Sequence, residues 1–307
     1  MRAIVFAYSE LGVLCLEELV NAGTDVAAVV THHDAAGENL WFPSVAKKAR
    51  AHGLNVFETD SVSADIWLPR LAALKADTIF SFMLRCMLPE EILDLAPERA
   101  FNLHPSLLPK YRGRAPANWA LVNGEKETGL TLHLMVKHAD AGDIVAQERV
   151  PIGPDDNIAD LNRKFAEVAP RLLRGALPAI ASGKFTRIPQ NPAEVTKFGR
   201  RTPADGLFNA DCPADKIHNL VRAVAHPFPG AFCQTADGRK LFVWKTVLRN
   251  DERVCAPSGV VLGTNPLVLC AGGRTIEFAS LHYEGEPEVS GAEFAAAHGL
   301  RPGQKLF

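Results

Sequence analysis

The chain has 307 residues, of which 47% are hydrophobic and 22% are charged, and its formal net charge is −2. This composition excludes a disordered or fibrous chain and predicts a globular protein large enough for two domains with substantial cores. The near-zero charge gives no global attraction to nucleic acid or to anionic membranes, so neither is an expected partner.

The first third of the chain reads as alternating strands and helices. Buried strands are predicted at residues 3–8, 26–30, 55–58, 77–82 and 100–104. Ser9 is expected to cap the first helix, and the strands around that helix open a βαβ unit, which predicts a parallel sheet. The turn at 8–12 lacks the Gly-x-Gly-x-x-Gly pattern, so the usual kind of dinucleotide site is not expected.

The strand at 100–104 ends in two polar side chains that share one face. Asn102 and His104 are two residues apart, and an extended strand directs both to the same side. Pro105 keeps His104 out of the helical region. Ligands of open α/β sheets bind outside the carboxyl ends of the strands, where this pair is expected to lie. Taken alone, the pair is better explained as a strand whose last histidine caps a turn, so its surroundings must decide.

A hairpin is predicted next, with strands at 130–136 and 144–151, and Asp140 lies in the loop between them. We expect Asp140 to join the pair at the carboxyl edge of the sheet. A carboxylate orients an imidazole and raises its basicity, whereas an amide is a neutral donor suited to a developing oxyanion. Ser106 lacks a nucleophile-elbow pattern and is expected to stabilise a turn. Without a protein nucleophile, such a trio fits direct acyl transfer to a bound amine.

The remaining chain predicts a second, smaller domain. A long amphipathic helix at 158–180 is followed by an aperiodic linker from about 184. A helix at 214–224 then precedes short strands with glycine turns, which favour a small barrel or sandwich. The predicted fold class is therefore α/β, with a Rossmann-like parallel-sheet domain over 1–203 and a β-rich domain over 204–307.

The cysteines and the hydropathy pattern indicate whether disulfides, a metal site or membrane insertion are expected. The six cysteines form no Cys-x-x-Cys pair and share no zinc-ligand spacing with histidines, which predicts reduced thiols, a cytoplasmic location and no metal. No uncharged apolar run has the length of a membrane span, so membrane insertion is not expected. The sequence leaves a homo-oligomeric state open.

Two motifs resemble a known family. Residues 101–109, followed by Tyr111-Arg112-Gly113, resemble the signature of the 10-formyltetrahydrofolate-dependent formyltransferases, and residues 138–143 resemble the family's second signature. The resemblance runs over the whole chain and implies a Rossmann-like formyltransferase domain followed by an OB-like domain. It implies 10-formyltetrahydrofolate as the co-substrate and a catalytic trio of Asn102, His104 and Asp140. The folate site that it implies consists of Cys86, Met87, Leu88, Arg114, Val136, Lys137, His138, Ala139 and Asp140.

Within this family the resemblance is closest to the branch that formylates UDP-4-amino-4-deoxy-L-arabinose for lipid A modification and polymyxin resistance. The matching stretches are residues 5–8, 110–116 and 198–203. A nucleotide-linked amino sugar is therefore the expected acceptor. Guanidinium groups suit its diphosphate, and Tyr8 could face the sugar. The candidate sugar-binding residues are Tyr8, Arg112, Arg200 and Arg201. A decarboxylase domain, as in the bifunctional relative, is not expected here.

Methionyl-tRNA formyltransferase is the main alternative, because it shares both motifs. A tRNA-binding protein must neutralise several phosphates with Lys and Arg. The segment 33–40, where that branch has a basic insertion, contains neither, and residues 204–307 contain ten Lys or Arg against eleven Asp or Glu. The same balance disfavours an RNA-binding or adaptor protein with a relic active site. A folate-dependent hydrolase, in which water takes the formyl group, also remains open.

Overall fold

The chain forms two units whose segments alternate along the sequence. The structure is a computed structural model and describes residues 1–34, 42–249 and 253–307. The first unit comprises residues 1–116, 127–151 and 162–198, and the second comprises 117–126, 152–161 and 199–307. The boundary predicted at residue 203 stays a prediction. The segment 33–40, used above to argue against a basic insertion, lies mostly outside the described residues.

A seven-stranded sheet is the frame of the first unit. The strands of this unit are β1 (Arg2–Ala7), β2 (Asp25–Thr31), β3 (Val56–Glu58), β4 (Thr78–Phe82), β5 (Ala100–His104), β6 (Arg112–Gly113), β7 (Glu127–Leu134), β8 (Ile144–Pro151) and β9 (Lys197–Phe198). The sheet has the order β3-β2-β1-β4-β5-β7-β8, and β6 pairs separately with β9. The first five strands of that order are parallel, whereas β7 is antiparallel to both β5 and β8. The predicted parallel sheet and the predicted hairpin are both confirmed.

Apolar runs explain why the parallel strands lie inside the sheet. Ile4, Phe6, Ile79 and Phe101 are completely buried, as expected for strands covered on both faces. The helices of the first unit are α1 (Ser9–Asn21), α2 (Val45–Ala51), α3 (Ala64–Ala72) and α4 (Glu90–Leu93). α5 (Pro116–Val122) falls in the second unit after its first residue, and α6 (Ile158–Ala181) begins in the second unit and continues in the first.

The start of α1 differs from the sequence-based expectation. Ser9 is the first helical residue rather than the cap, its φ is +62°, and the cap position has no side-chain hydrogen bond. The close approach of helix to strand gives the physical reason for this tight entry, because a Cβ atom at Gly12 would lie 3.3 Å from Ala7. Tyr8 takes the cap position with the extended backbone usual there, but its side chain makes no capping hydrogen bond.

The second unit contains an antiparallel sheet, as the short glycine-flanked strands predicted. Its elements are α7 (Ala214–Val224), β10 (Ala231–Gln234), β11 (Lys240–Leu248), β12 (Val261–Thr264), β13 (Leu267–Ala271), β14 (Arg274–Tyr283), β15 (Val289–Ser290) and α8 (Gly291–Ala297). The strand order is β10-β11-β14-β13-β12, with β15 paired to β14. The predicted fold class, a parallel-sheet part followed by a β-rich part, is confirmed. Within the described ranges, no helix is long and apolar enough to cross a membrane.

Candidate active site

The structure brings Asn102, His104 and Asp140 together within the first unit. The His104 ring is buried, and its Nδ1 atom lies 3.5 Å from Oδ1 of Asp140. The other ring nitrogen, Nε2, donates to the carbonyl oxygen of Tyr111 at 2.8 Å, which assigns the proton of the neutral ring to Nε2. Nδ1 is then the basic nitrogen, and a proton that it accepts is stabilised by the neighbouring carboxylate.

His133 is a fourth member of this cluster. Its Nδ1 atom donates to the carbonyl oxygen of Leu134 at 2.8 Å, so its Nε2 atom accepts the amide hydrogen of Asn102 at 3.1 Å. The pKa of His133 is lowered to about 4, chiefly by its burial and in part by nearby His104, against the opposing effect of Asp140. The ring is therefore neutral near pH 7. It fixes which way the Asn102 amide points, with its nitrogen toward His133.

Asp140 reaches the cluster on the loop between β7 and β8. Because β7 is antiparallel to β5, Leu134 pairs with Phe101, and the following loop leaves the sheet at the amino end of β5. Asp140 nevertheless joins the pair at the carboxyl edge of the sheet, as expected, because its Oδ1 atom lies 3.5 Å from Nδ1 of His104 at the end of β5. The loop at 135–143 carries the carboxylate back to His104.

Two glycines allow the backbone to hold Asp140 in place. Asp140 has a φ of +56°, and its Oδ2 atom accepts the N–H of Gly113 at 2.8 Å. A Cβ atom at Gly142 would lie 2.0 Å from the carbonyl oxygen of Leu134, so only glycine fits beside that strand. The Asp-Ala-Gly sequence thus has a steric reason in addition to its chemistry.

The segment from Tyr111 to Gly113 borders the same site. β6 pairs in parallel with β9, and the Tyr111 ring stacks on Phe198 at a centroid distance of 4.9 Å. Gly113 has a φ of +102°, and a Cβ atom there would lie 2.3 Å from the carbonyl oxygen of Phe198. The Ser106 hydroxyl donates to the carbonyl oxygen of Lys110 at 2.8 Å, which is the turn-stabilising contact expected from the sequence.

The residues assigned to folate by resemblance lie on two loops of the first unit. On the loop after β4, Cys86 and Leu88 are half-buried against the core, whereas Met87 is 59% exposed. Burial raises the pKa of the Cys86 thiol. Arg114 donates to the carbonyl oxygen of Arg85 at 2.6 Å, which ties its guanidinium to that loop. The loop after β7 carries the exposed residues Val136, Lys137, His138 and Ala139.

The four residues assigned to the sugar are divided between the two units, with Tyr8 and Arg112 in the first and Arg200 and Arg201 in the second. The buried Tyr8 ring contacts His32 and Phe42 edge-on and lies under the Arg85 guanidinium. Arg200 is exposed, and Arg112 is the member whose contacts reach the Asp140 loop, through the side chain of Gln190.

Arg201 belongs to the second unit. Its guanidinium carbon lies 4.5 Å from the Trp119 ring centroid, and its Nε atom is buried without a protein partner. Burial lowers the pKa of Arg201. It borders a cavity of about 280 Å³ in the same unit, with walls that include Leu207, Phe208 and Ile217. Among the residues that the structure describes, no three His, Cys, Asp or Glu side chains are arranged to hold a metal ion.

Comparison with known proteins gives two family matches and several similar folds. The family model described as formyl transferase matches residues 1–177, and the model described as formyl transferase, C-terminal domain, matches residues 200–299. WlaRD, a sugar 3N-formyl transferase solved with dTDP and 5-N-formyl-THF, has a TM-score of 0.71 and 19% identity, covering 94% of this chain and 99% of its own.

Two further structures resemble the chain at similar identity. An N-formyltransferase from Helicobacter canadensis, solved with folinic acid and dTDP-3-aminofucose, has a TM-score of 0.73 and 20% identity, covering 90% of this chain and 98% of its own. HypX from Aquifex aeolicus, solved with tetrahydrofolic acid, has a TM-score of 0.62 and 16% identity, covering 96% of this chain and 47% of its own. At these identities the likeness is one of fold.

Proposed function

This chain belongs to the formyl transferase family, and from that premise we propose that it transfers a formyl group from 10-formyltetrahydrofolate to the amino group of a nucleotide-linked amino sugar. The observation that carries the proposal is the cluster of Asn102, buried His104 and Asp140 inside the family match. The dTDP and dTDP-3-aminofucose present in two proteins of similar fold support this class of acceptor.

The proposed reaction needs no protein nucleophile. The acceptor amine attacks the formyl carbon, a new C–N bond forms, and the carbonyl oxygen becomes an oxyanion. The amide of Asn102 has a second N–H beyond the one donated to His133, and this N–H suits the oxyanion. Nδ1 of His104 takes the amine proton beside Asp140. The carbon–N10 bond of the folate then breaks, and the proton passes to N10.

The finer assignments are part of the proposal. UDP-4-amino-4-deoxy-L-arabinose is the preferred acceptor, in the lipid A pathway, because of the stretches 5–8, 110–116 and 198–203. The folate residues on the two loops and the four sugar residues stay predictions. A cytoplasmic location is proposed as well, and it is supported by six cysteines that are all unpaired. Methionyl-tRNA is the second candidate acceptor, since tRNA formylation uses the same two motifs.

A side-by-side comparison of acceptors tests the proposal. Purified protein is incubated with 10-formyltetrahydrofolate and, in separate reactions, with UDP-4-amino-4-deoxy-L-arabinose, dTDP-3-aminofucose and methionyl-tRNA, and the products are identified by mass spectrometry. We expect formylated nucleotide sugar, with the UDP sugar turned over fastest. Formylated methionyl-tRNA with unmodified sugars would refute the proposal, and formate release that needs no acceptor would indicate a hydrolase.

A further inference from the structure

The side chain of Gln190 uses every hydrogen-bonding group of its amide. Its Nε2 atom donates to the carbonyl oxygens of Asp140 and Gly142 at 2.8 and 2.7 Å. Its Oε1 atom accepts from Nε and Nη2 of Arg112 at 3.0 and 2.7 Å. A flipped amide would place two donors against a guanidinium and one acceptor against two carbonyls. The amide therefore has a single satisfactory orientation.

The two segments that Gln190 joins are the ones that hold the catalytic side chains. One is the loop that carries Asp140, and the other runs from Tyr111 to Gly113. The carbonyl of Tyr111 holds the His104 ring, and the N–H of Gly113 holds the Asp140 carboxylate. Gln190 thus connects the backbone of Asp140 to the segment that orients both the His104 ring and the Asp140 carboxylate.

The chain around Gln190 is itself fixed. Two residues earlier, Ile188 exchanges two backbone hydrogen bonds of 2.9 Å with Ile144 at the start of β8. One residue later, the Asn191 side chain accepts from the N–H of Ala193 and caps a short helical turn. The amide is therefore held at a set position and distance from the Asp140 loop.

We propose that Gln190, acting with Arg112, is a positioning residue that sets the Asp140 carboxylate for formyl transfer. The inference rests on the proposed function. Asp140 has a left-handed backbone conformation, which a non-glycine residue keeps only when its surroundings impose it. The hydrogen bond from Gln190 to the carbonyl of Asp140 is such a constraint. Without it, the peptide relaxes and the carboxylate moves away from His104.

The variant Gln190→Met tests this inference, because methionine keeps the length and volume of the side chain and removes its hydrogen bonds. A displacement of about 1 Å can cost on the order of 10²-fold in rate. We expect kcat to fall by about 10- to 100-fold, while KM for folate and for the sugar changes by less than about threefold. Gln190→Glu keeps an acceptor for Arg112 but turns a carboxylate oxygen toward two carbonyls, so it should lose at least as much.

Arg112 distinguishes positioning from substrate contact. If Arg112 acts through Gln190, the double variant of Arg112→Met and Gln190→Met loses no more kcat than the worse single variant. An increase in the sugar KM for Arg112→Met alone would overturn the part given to Arg112. The matched control is Gln234→Met, at the exposed last position of β10, which should keep the wild-type kcat and KM.

The result that overturns the inference is a wild-type kcat in Gln190→Met, or a loss confined to KM. Rates are expressed per folded molecule, with the folded fraction measured by ellipticity under assay conditions, so that reduced stability is not mistaken for reduced catalysis. The wild-type protein is assayed first. Absence of formyl transfer by the wild type refutes the proposed function, whereas an active wild type with an equally active Gln190→Met refutes only the positioning role.

Discussion

The neutral state of His133 leads to a pH-dependent stability that can be measured. Burial lowers the pKa of this ring from 6.5 to about 4. The unfolded chain therefore takes up a proton as the pH falls below 6.5, while the folded protein does not until about pH 4. This contribution to stability is complete above pH 6.5 and is lost as the pH falls from 6.5 toward 4.

The size of the effect follows from the two pKa values. One pKa unit corresponds to about 1.4 kcal/mol, so the free energy of unfolding should fall by about 2 kcal/mol between pH 7 and pH 5 because of His133 alone. The substitution His133→Gln removes the titration. The Gln carbonyl can still accept the amide hydrogen that Asn102 donates to Nε2 of the histidine.

Urea unfolding of both proteins at pH 5, 6, 7 and 8 measures this difference. The free energy of unfolding of the variant is subtracted from that of the wild type at each pH. This difference should be constant from pH 7 to pH 8 and should fall by about 2 kcal/mol from pH 7 to pH 5. Burial also lowers the pKa values of His32 and His218, but both proteins contain these residues and their effects cancel. An identical stability difference at every pH would refute a buried neutral His133.

Two further substitutions test the cluster around His104 and the adjacent segment from Tyr111 to Gly113. Asp140→Asn should lower kcat by about 10²- to 10⁴-fold, because the carboxylate beside His104 is lost. The Tm should change little, because an Asn oxygen still accepts the Gly113 N–H. Wild-type turnover in this variant would rule out a catalytic role for the Asp140 carboxylate. Gly113→Ala should destabilise the protein by about 2 kcal/mol, through its positive φ and its contact with Phe198. Gly238→Ala is the control in thermal unfolding, because Gly238 also has a positive φ but has open space where the Cβ atom would lie. Equal losses of stability in the two variants would show that the contact with Phe198 contributes nothing.

Long periodic segments made most of the fold predictable. The helix predicted at 214–224 has the same bounds in the structure, and the helix predicted at 158–180 runs from Ile158 to Ala181. Both carry an apolar stripe that repeats over several turns, which is a signal that local sequence contains. The two-residue pair of β6 and β9 has no such repeat, because its partners are more than 80 residues apart and meet only through tertiary packing.

The site was predictable where strand geometry or a motif specified it. The two-residue spacing of Asn102 and His104 predicted a shared face. The predicted hairpin loop placed Asp140 at the same sheet edge, and the family resemblance implied the same trio. His133 lies directly opposite Asn102, but that pairing depends on the register between β5 and β7. A shift of one residue would turn the ring to the other face. Gln190 was not predicted for a similar reason, since its contacts lie 48 to 78 residues away in the sequence.

The two histidines beside Asp140 cannot exchange roles. Both ring nitrogens of His133 are engaged, one as a donor to Leu134 and one as the acceptor for Asn102. Protonation of that ring would remove the acceptor and release the amide that is proposed to hold the oxyanion. His104 has only Nε2 engaged by a backbone carbonyl, and its Nδ1 atom lies on the side of the carboxylate. We therefore assign the proposed proton transfer to His104 and the orientation of the amide to His133.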